Sequence, residues 1–124
     1  MRVPRARFEQ LAEQALEEIP PAFRELILDV EIAVKALPGP EAGRWRGSRT
    51  LLGLYQGLTR AEMASPYSGS HEPARILLYQ SNIEAYCRDE EELARRVRTT
   101  LRHELAHHFG FTDRDLRAKW PEGA

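Results

Sequence analysis

One long segment near the end of the chain constrains the fold more than any other. Residues 89–109, DEEELARRVRTTLRHELAHHF, contain neither proline nor glycine. Their apolar side chains recur at helical spacing along one face: Ala94, Leu101, Leu105 and Phe109. Asp89 is a favourable N-cap residue, and Glu92 three positions later completes the sequence pattern of a capping box. We therefore predict a single helix about 31 Å long.

Apolar periodicity predicts one more helix and three strands before this segment. Residues 8–19 have the spacing of an amphipathic helix, which the two prolines that follow should end. Alternation over residues 28–36 predicts a half-buried strand. Residues 51–55 predict a short edge strand, in which Gly53 indicates a bulge or a close backbone approach. Residues 75–80, RILLYQ, are apolar on both faces and predict a strand in the interior of the sheet.

This order of elements predicts an α+β domain. A small mixed β-sheet should pack against the long helix and the N-terminal helix. With 124 residues, the chain has the length of a single domain, so we expect residues 1–124 to form one unit. Its hydrophobic content of 42% and charged content of 30% are typical of a globular protein.

The charge and cysteine content exclude several classes of protein. The formal net charge is −1 and the basic residues are scattered, so no nucleic-acid surface is expected. The chain has no apolar run long enough for a membrane span, and its N-terminus is too charged for a signal peptide. Cys87 is the only cysteine, so no internal disulfide can form. We expect a cytoplasmic protein, with a monomer as the default state.

Titratable side chains are concentrated at the end of the long helix, in the pattern His-Glu-x-x-His-x-x-Gly-x-x-Asp. His103 and His107 lie one turn apart, opposite the core face, so both rings can reach one metal ion. Glu104 lies on the flank, where it can hold a water molecule on that ion. Gly110 tolerates a left-handed backbone and can reverse the chain. That reversal would bring Asp113 over the two histidines as a third ligand.

Other side chains in and near this segment have simpler interpretations. Asp115 competes with Asp113 for the third ligand position, but it also fits as the capping partner of Thr112 in a final short helix over residues 112–120. His108 turns toward the core, where packing or hydrogen bonding is expected. His71 is expected to be a solvated loop residue. The tyrosines include candidate oxyanion donors, with core packing as the default for each: Tyr55, Tyr67, Tyr79 and Tyr86.

The segment HELAHHFGFTD resembles the zinc-binding segment of the zincin metallopeptidases. Together with RILLYQ and CRDEEELARRVRTTLRHELAHHFG, it makes the chain similar to a small bacterial zincin-like family sometimes called minimal zincins. The resemblance covers roughly residues 8–116, although specific motifs occur only in the final third. It implies a zinc ion held by His103, His107 and Asp113, with Glu104 as general base, and an edge strand along the cleft. A peptide or protein would then be the substrate.

The chain departs from the metzincin branch of that superfamily in two ways. Asp113 stands where metzincins have a third histidine. The methionines, Met1 and Met63, both precede the motif, so the methionine turn of metzincins is missing. Three protein ligands would still leave a tetrahedral zinc one open position, which is the arrangement of a catalytic site.

Three functions are compatible with these residues. The leading hypothesis is a zinc-dependent metallopeptidase, a hydrolase whose access would be restricted by the loop over residues 64–73. The second is a non-catalytic metal-binding or interaction domain on the same scaffold. The third, ferrous iron held by two histidines and an aspartate for oxygen chemistry, agrees less well with the compact helical spacing. Glu104 favours the hydrolase, because a purely structural metal site has no need of a base at that position.

Overall fold

A three-stranded mixed sheet forms one layer of the protein. The computed structural model describes residues 1–67 and 69–119, without the side chains of residues 113, 116 and 119. The strands are β1 (Val30–Lys35), β2 (Gly53–Gln56) and β3 (Ala74–Tyr79). Their order is β1-β3-β2, with β1 parallel and β2 antiparallel to β3. The predicted α+β class and mixed sheet are confirmed.

The central position of β3 follows from its sequence. Ile76, Leu77, Leu78 and Tyr79 are all fully buried, as expected of a strand covered on both faces. β2 is an edge strand, as predicted. β1 begins at Val30 rather than at residue 28, because Asp29 has a φ of 43°, which lies outside the extended conformation of a strand.

Helices cover the sheet and complete the core. The helices are α1 (Arg5–Glu17), α2 (Pro21–Arg24), α3 (Arg60–Ala64), α4 (Gln80–Glu84), α5 (Glu90–Phe109) and α6 (Asp113–Lys119). A 3₁₀ helix spans Pro40–Trp45. α5 packs against α1, β2 and β3. The core between these elements consists largely of aliphatic side chains, among them Leu11, Ile76, Leu93, Val97, Leu101 and Leu105.

Both ends of α5 are set by local chemistry. The Asp89 carboxylate accepts a hydrogen bond from the Glu92 N–H at 2.8 Å. The Glu92 carboxylate in turn accepts from the N–H of Arg88, also at 2.8 Å, one residue earlier than in a standard capping box. At the other end Gly110 is the C-cap residue, with φ 73° and ψ 21°. The left-handed conformation predicted for this glycine is confirmed.

Four short helices were not predicted: α2, α3, α4 and the 3₁₀ helix. Each has at most six residues, too few to display a helical period. α6 was predicted, and residue 120, with which that prediction ended, lies outside the described residues. The short helices matter for the site because α3 and the 3₁₀ helix flank the two ends of β2 along the chain.

Candidate metal centre and active site

Two histidines project from the outward face of α5. His103 and His107 are both exposed, and their ring centroids are 6.0 Å apart. They lie one turn apart on the same side of the helix, away from the core side chains Leu101 and Leu105. Two imidazoles at this spacing can ligate one ion after a change of side-chain rotamer.

The Glu104 side chain lies between α5 and the edge strand β2. A Cβ atom built on Gly53 would come within 3.2 Å of the Glu104 Cγ, 3.0 Å of the Thr100 Cγ2 and 3.1 Å of the Leu77 carbonyl oxygen. Any other residue here would force these neighbours to shift by a few tenths of an ångström, so glycine favours the close approach of the helix to β2. The close backbone approach predicted at Gly53 is confirmed, and its consequence is to position Glu104 beneath the strand.

Burial raises the pKa of the Glu104 carboxyl, although the His107 and His103 rings and the backbone N–H of Tyr55 oppose the rise. A carboxyl group in such surroundings holds and releases a proton more readily near neutral pH than an exposed glutamate does. The location and the electrostatics of Glu104 therefore both suit general acid–base chemistry.

His108 follows His107 directly but has the opposite environment. It is fully buried, and its Nε2 accepts a hydrogen bond from the Leu28 N–H at 3.0 Å. Because Nε2 accepts, a neutral ring carries its proton on Nδ1, which lies 2.8 Å from the Tyr55 hydroxyl oxygen. Burial lowers the pKa of His108, and the charge of Arg60 adds to this effect. The prediction that His108 is a packed, hydrogen-bonded residue is confirmed.

The hydroxyl groups of two candidate oxyanion donors have partners away from the outward face of α5. Tyr55 donates its hydroxyl hydrogen to the Leu58 carbonyl, and burial, together with the Glu62 charge, raises its pKa to about 12. Tyr79 donates to the Glu41 carboxylate at 3.0 Å. Tyr67 is 95% exposed in the loop after α3. Core packing, the default interpretation, describes Tyr79 and largely describes Tyr55, but it is wrong for Tyr67 and for Tyr86, which is 51% exposed.

A side chain on α6 caps the turn that follows α5. The Thr112 N–H donates to the Asp115 carboxylate at 3.0 Å, and the Asp115 N–H donates to the Thr112 hydroxyl at 3.1 Å. The predicted capping role of Asp115 is confirmed, and Asp115 is thereby held at the start of α6. Asp113 is the first residue of α6, but its side chain lies outside the described part of the chain.

A groove runs beside the outward face of α5. Its volume is about 300 Å³, and it is lined on one side by residues 50–53 and on the other by α5 residues from Arg96 to Glu104. The Leu52 carbonyl accepts from the Tyr79 N–H, so the alternation of an antiparallel pair directs the Gly53 and Tyr55 backbone groups away from β3. The described residues of the predicted rim loop, 64–67 and 69–73, do not line this groove.

The ligand chemistry of the two described histidines fits a zinc ion. Within the described residues no three His, Cys, Asp or Glu side chains converge on one point, and Asp113 is not among the side chains described. The two exposed imidazoles have the ligand chemistry and the helical spacing of zinc-binding histidine pairs. α5 ends at Gly110, where the Phe111 N–H donates to the Ala106 carbonyl at 2.8 Å, and α6 contacts α5.

Two features of the site were missed from the sequence. The contact of Tyr55 with His108 joins residues 53 positions apart, and no local pattern indicates it. Arg96 lines the groove two turns before His103. Its helical phase, which differs from that of His103 by about 20°, could have revealed this position.

Comparisons with known proteins agree with this architecture. The model of a family described as zincin-like metallopeptidase matches residues 27–121, which include the strands, α5 and the whole His-Glu-x-x-His segment. No curated protein matches the chain. None of the helices in the described residues combines the length and apolar character that a membrane span requires. The match covers most of the chain, and the protein therefore belongs to the zincin-like metallopeptidase family.

Proposed function

We propose that this protein is a zinc-dependent peptidase that hydrolyses short peptides with Glu104 as general base. The observation that carries the proposal is the location of Glu104. Its carboxyl group lies under an edge strand, beside two exposed histidines, and burial raises its pKa. A structural metal site has no use for such a group.

The metal would be held by His103, His107 and Asp113. When bound, zinc supplies Lewis acidity to a water molecule and to the substrate carbonyl. Glu104, which directly follows His103 in α5, accepts the proton of the attacking water and delivers it to the amine nitrogen of the leaving group. An acid with a raised pKa is suited to both transfers.

The edge strand would align the substrate. The Gly53 backbone groups and the Tyr55 carbonyl face away from β3, while the Tyr55 N–H is directed at the Glu104 carboxylate, so an extended peptide can add to β2 through main-chain hydrogen bonds at Gly53 and the Tyr55 carbonyl. Such pairing holds a peptide bond above Glu104 with little dependence on side chains. A groove of about 300 Å³ accepts a few extended residues, which favours short peptides over folded proteins.

The test is hydrolysis of a mixed peptide library by zinc-loaded protein. Glu104→Gln should lower the rate by about 10²–10⁴-fold, the usual contribution of a general base. Glu91→Gln, which removes an exposed carboxylate from the first turn of the same helix, is the matched control and should retain the wild-type rate. Equal turnover by wild type and Glu104→Gln would contradict the role of Glu104 as general base, and no turnover by either would favour the non-catalytic metal-binding domain instead.

A further inference from the structure

Arg96 lies at the end of the groove opposite Glu104. Arg96 lines the groove together with Thr99 and Thr100, and its side chain is exposed. Its guanidinium lies over the Tyr86 ring, 5.5 Å from the centroid. Tyr86 is itself 51% exposed and lines a neighbouring groove that shares Arg96, so the ring restrains the guanidinium where the two grooves adjoin without burying it.

The charges along the groove are distributed unevenly. Apart from the two site residues His103 and Glu104, Arg96 is the only charged side chain among the described residues that line this groove. The rest of the lining is apolar or carries a hydroxyl group. A ligand lying along this groove therefore meets the site residues at one end and a single cation at the other.

A second groove continues beyond Arg96. It has a volume of about 370 Å³, shares Arg96 and Thr99 with the first groove, and is also lined by Arg88, Arg95 and Glu92. Among the residues that line it, Arg88 pairs with Glu92 at 3.3 Å, which leaves the charges of Arg95 and Arg96 in excess. The electrostatic potential near Arg96 should therefore attract anions and repel cationic side chains.

The spacing along α5 sets the length of a ligand that spans the groove. Arg96 precedes His103 by seven residues on nearly the same face of the helix. At 1.5 Å per residue the separation is about 10 Å. An extended peptide rises about 3.3 Å per residue, so about three residues cover that distance.

We propose that Arg96 binds a substrate carboxylate about three residues from the scissile bond. The guanidinium presents paired donors that match a carboxylate, and the Tyr86 ring lies beneath it. The carboxylate could belong to an acidic side chain or to the free C-terminus of the peptide. The proposal rests on the proposed peptidase function for the position of the scissile bond, but the carboxylate subsite can be tested by binding alone.

The binding test uses the zinc-loaded Glu104→Gln protein and fluorescein-labelled nonapeptides. In one series a single Glu is moved along an uncharged, C-terminally amidated peptide and compared with Gln at the same position. A second pair compares a free C-terminus with an amide. Fluorescence anisotropy should show about tenfold tighter binding of the best carboxylate peptide than of its neutral partner, as expected for one charge-assisted hydrogen-bonded pair. The series that shows the preference identifies the source of the carboxylate.

Adding Arg96→Gln should remove this preference, and Arg96→Lys should restore part of it. The matched control is Arg98→Gln, which removes the same charge from the same helix. Arg98 pairs at 3.2 Å with Glu18, the residue that follows α1, away from the groove. The control should keep the tenfold preference. Equal affinities for all peptide pairs, no measurable binding, or equal losses from the Arg96 and Arg98 variants would overturn the proposal.

Cleavage by the wild-type protein separates the two proposals. The Glu peptide with the highest kcat/KM should carry its carboxylate about three residues from the cleaved bond. If no peptide is cleaved while the Arg96-dependent preference in binding persists, the peptidase proposal fails and the carboxylate subsite stands. If cleavage is efficient but indifferent to Glu and to Arg96, the subsite fails and the peptidase proposal stands.

Discussion

His107 and His108 are neighbours in sequence, yet they belong to opposite faces of α5. His107 is exposed beside His103, whereas His108 is fully buried between the Leu28 N–H and the Tyr55 hydroxyl. The difference arises from a rotation of about 100° per residue. The outward face presents side chains that take no part in the core, and the inward face joins the helix to the segment before β1 and to β2. Function and stability should therefore respond to substitutions on different faces.

Replacement of His108 gives the largest expected effect on stability. His108→Ala leaves a cavity, and it removes a partner from both the Leu28 N–H and the Tyr55 hydroxyl. We expect the free energy of unfolding of the metal-free protein to fall by about 3 kcal/mol. Urea denaturation monitored by circular dichroism measures this loss.

The control for that prediction is the neighbouring residue. His107→Ala should change the stability of the metal-free protein by less than about 0.5 kcal/mol, because an exposed side chain is truncated. A large loss for His107→Ala together with a small loss for His108→Ala would reverse the assignment of the two faces.

Removal of zinc should affect the outward face only. The core formed by α1, the sheet and α5 has no need of an ion, so chelated protein should retain a cooperative thermal transition. Adding zinc at a hundredfold excess over its Kd should stabilise the protein by about 2.7 kcal/mol. Loss of the transition in chelated protein, seen by calorimetry, would make the metal part of the fold instead.

Gly53 of β2 contacts α5 at Thr100 and Glu104, between the outward and inward faces of the helix. The Cβ of Gly53→Ala would press against Thr100 and Glu104, so we expect a loss of about 1–2 kcal/mol in stability. Displacement of Glu104 should also lower the hydrolysis rate. Thr100→Ser removes one contacting methyl group but keeps the hydroxyl that donates to the Arg96 carbonyl at 2.7 Å.

The double variant Gly53→Ala, Thr100→Ser provides the check on that close approach. It should recover part of the stability lost by Gly53→Ala alone, measured as a coupling energy in a double-mutant cycle. Strict additivity of the two single changes would show that the helix does not press on the strand at this position.

Replacement of Glu41, which lies away from both faces of α5, should have a smaller effect on stability, and that effect should depend on pH. Its carboxylate accepts hydrogen bonds from Lys35, Gly39 and Tyr79. The Lys35 ammonium contributes most to lowering the pKa of Glu41, from 4.5 to about 2. Because the folded-state pKa is the lower one, this contribution to stability is present above about pH 4.5 and is lost as the pH falls toward 2. Glu41→Gln should cost about 1–2 kcal/mol at pH 7.

Denaturation of both proteins at pH 7 and at pH 3 measures this dependence. The difference in the free energy of unfolding between wild type and Glu41→Gln should be smaller at pH 3 than at pH 7. Glu31→Gln, at an exposed position in β1, should leave stability within about 0.5 kcal/mol of wild type at both values. If the difference in the free energy of unfolding were larger at pH 3 than at pH 7, the lowered pKa of Glu41 would be contradicted.

Local patterns predicted the parts of the fold that depend on neighbours in sequence. The extent of α5, the Asp89 cap, the left-handed Gly110 and the capping role of Asp115 all follow from residues within a few positions of one another. The interior position of β3 followed from its apolar faces. The direction of His108 followed from helical phase alone. These features needed no knowledge of the distant chain.

Long-range contacts account for what the sequence did not predict. Tyr55 meets His108, and Glu41 meets Tyr79, only after the sheet and α5 have assembled. The lining of the groove by Arg96 and residues 50–53 likewise depends on how closely α5 approaches β2. The length of β1 was overestimated because the left-handed backbone of Asp29 has no signature in an alternating pattern. The short helices arise from the paths that connect the larger elements.

Zinc content tests the central claim most directly. Wild type, His103→Ala, His107→Ala, Asp113→Ala and Glu104→Gln, purified without a chelating column and dialysed against trace zinc, would be analysed for metal per folded chain. We expect about one zinc per chain in wild type and in Glu104→Gln, none in the two histidine variants and strongly reduced zinc in Asp113→Ala. Loss of zinc from Glu104→Gln, with full retention by Asp113→Ala, would contradict the proposed roles of the outward face.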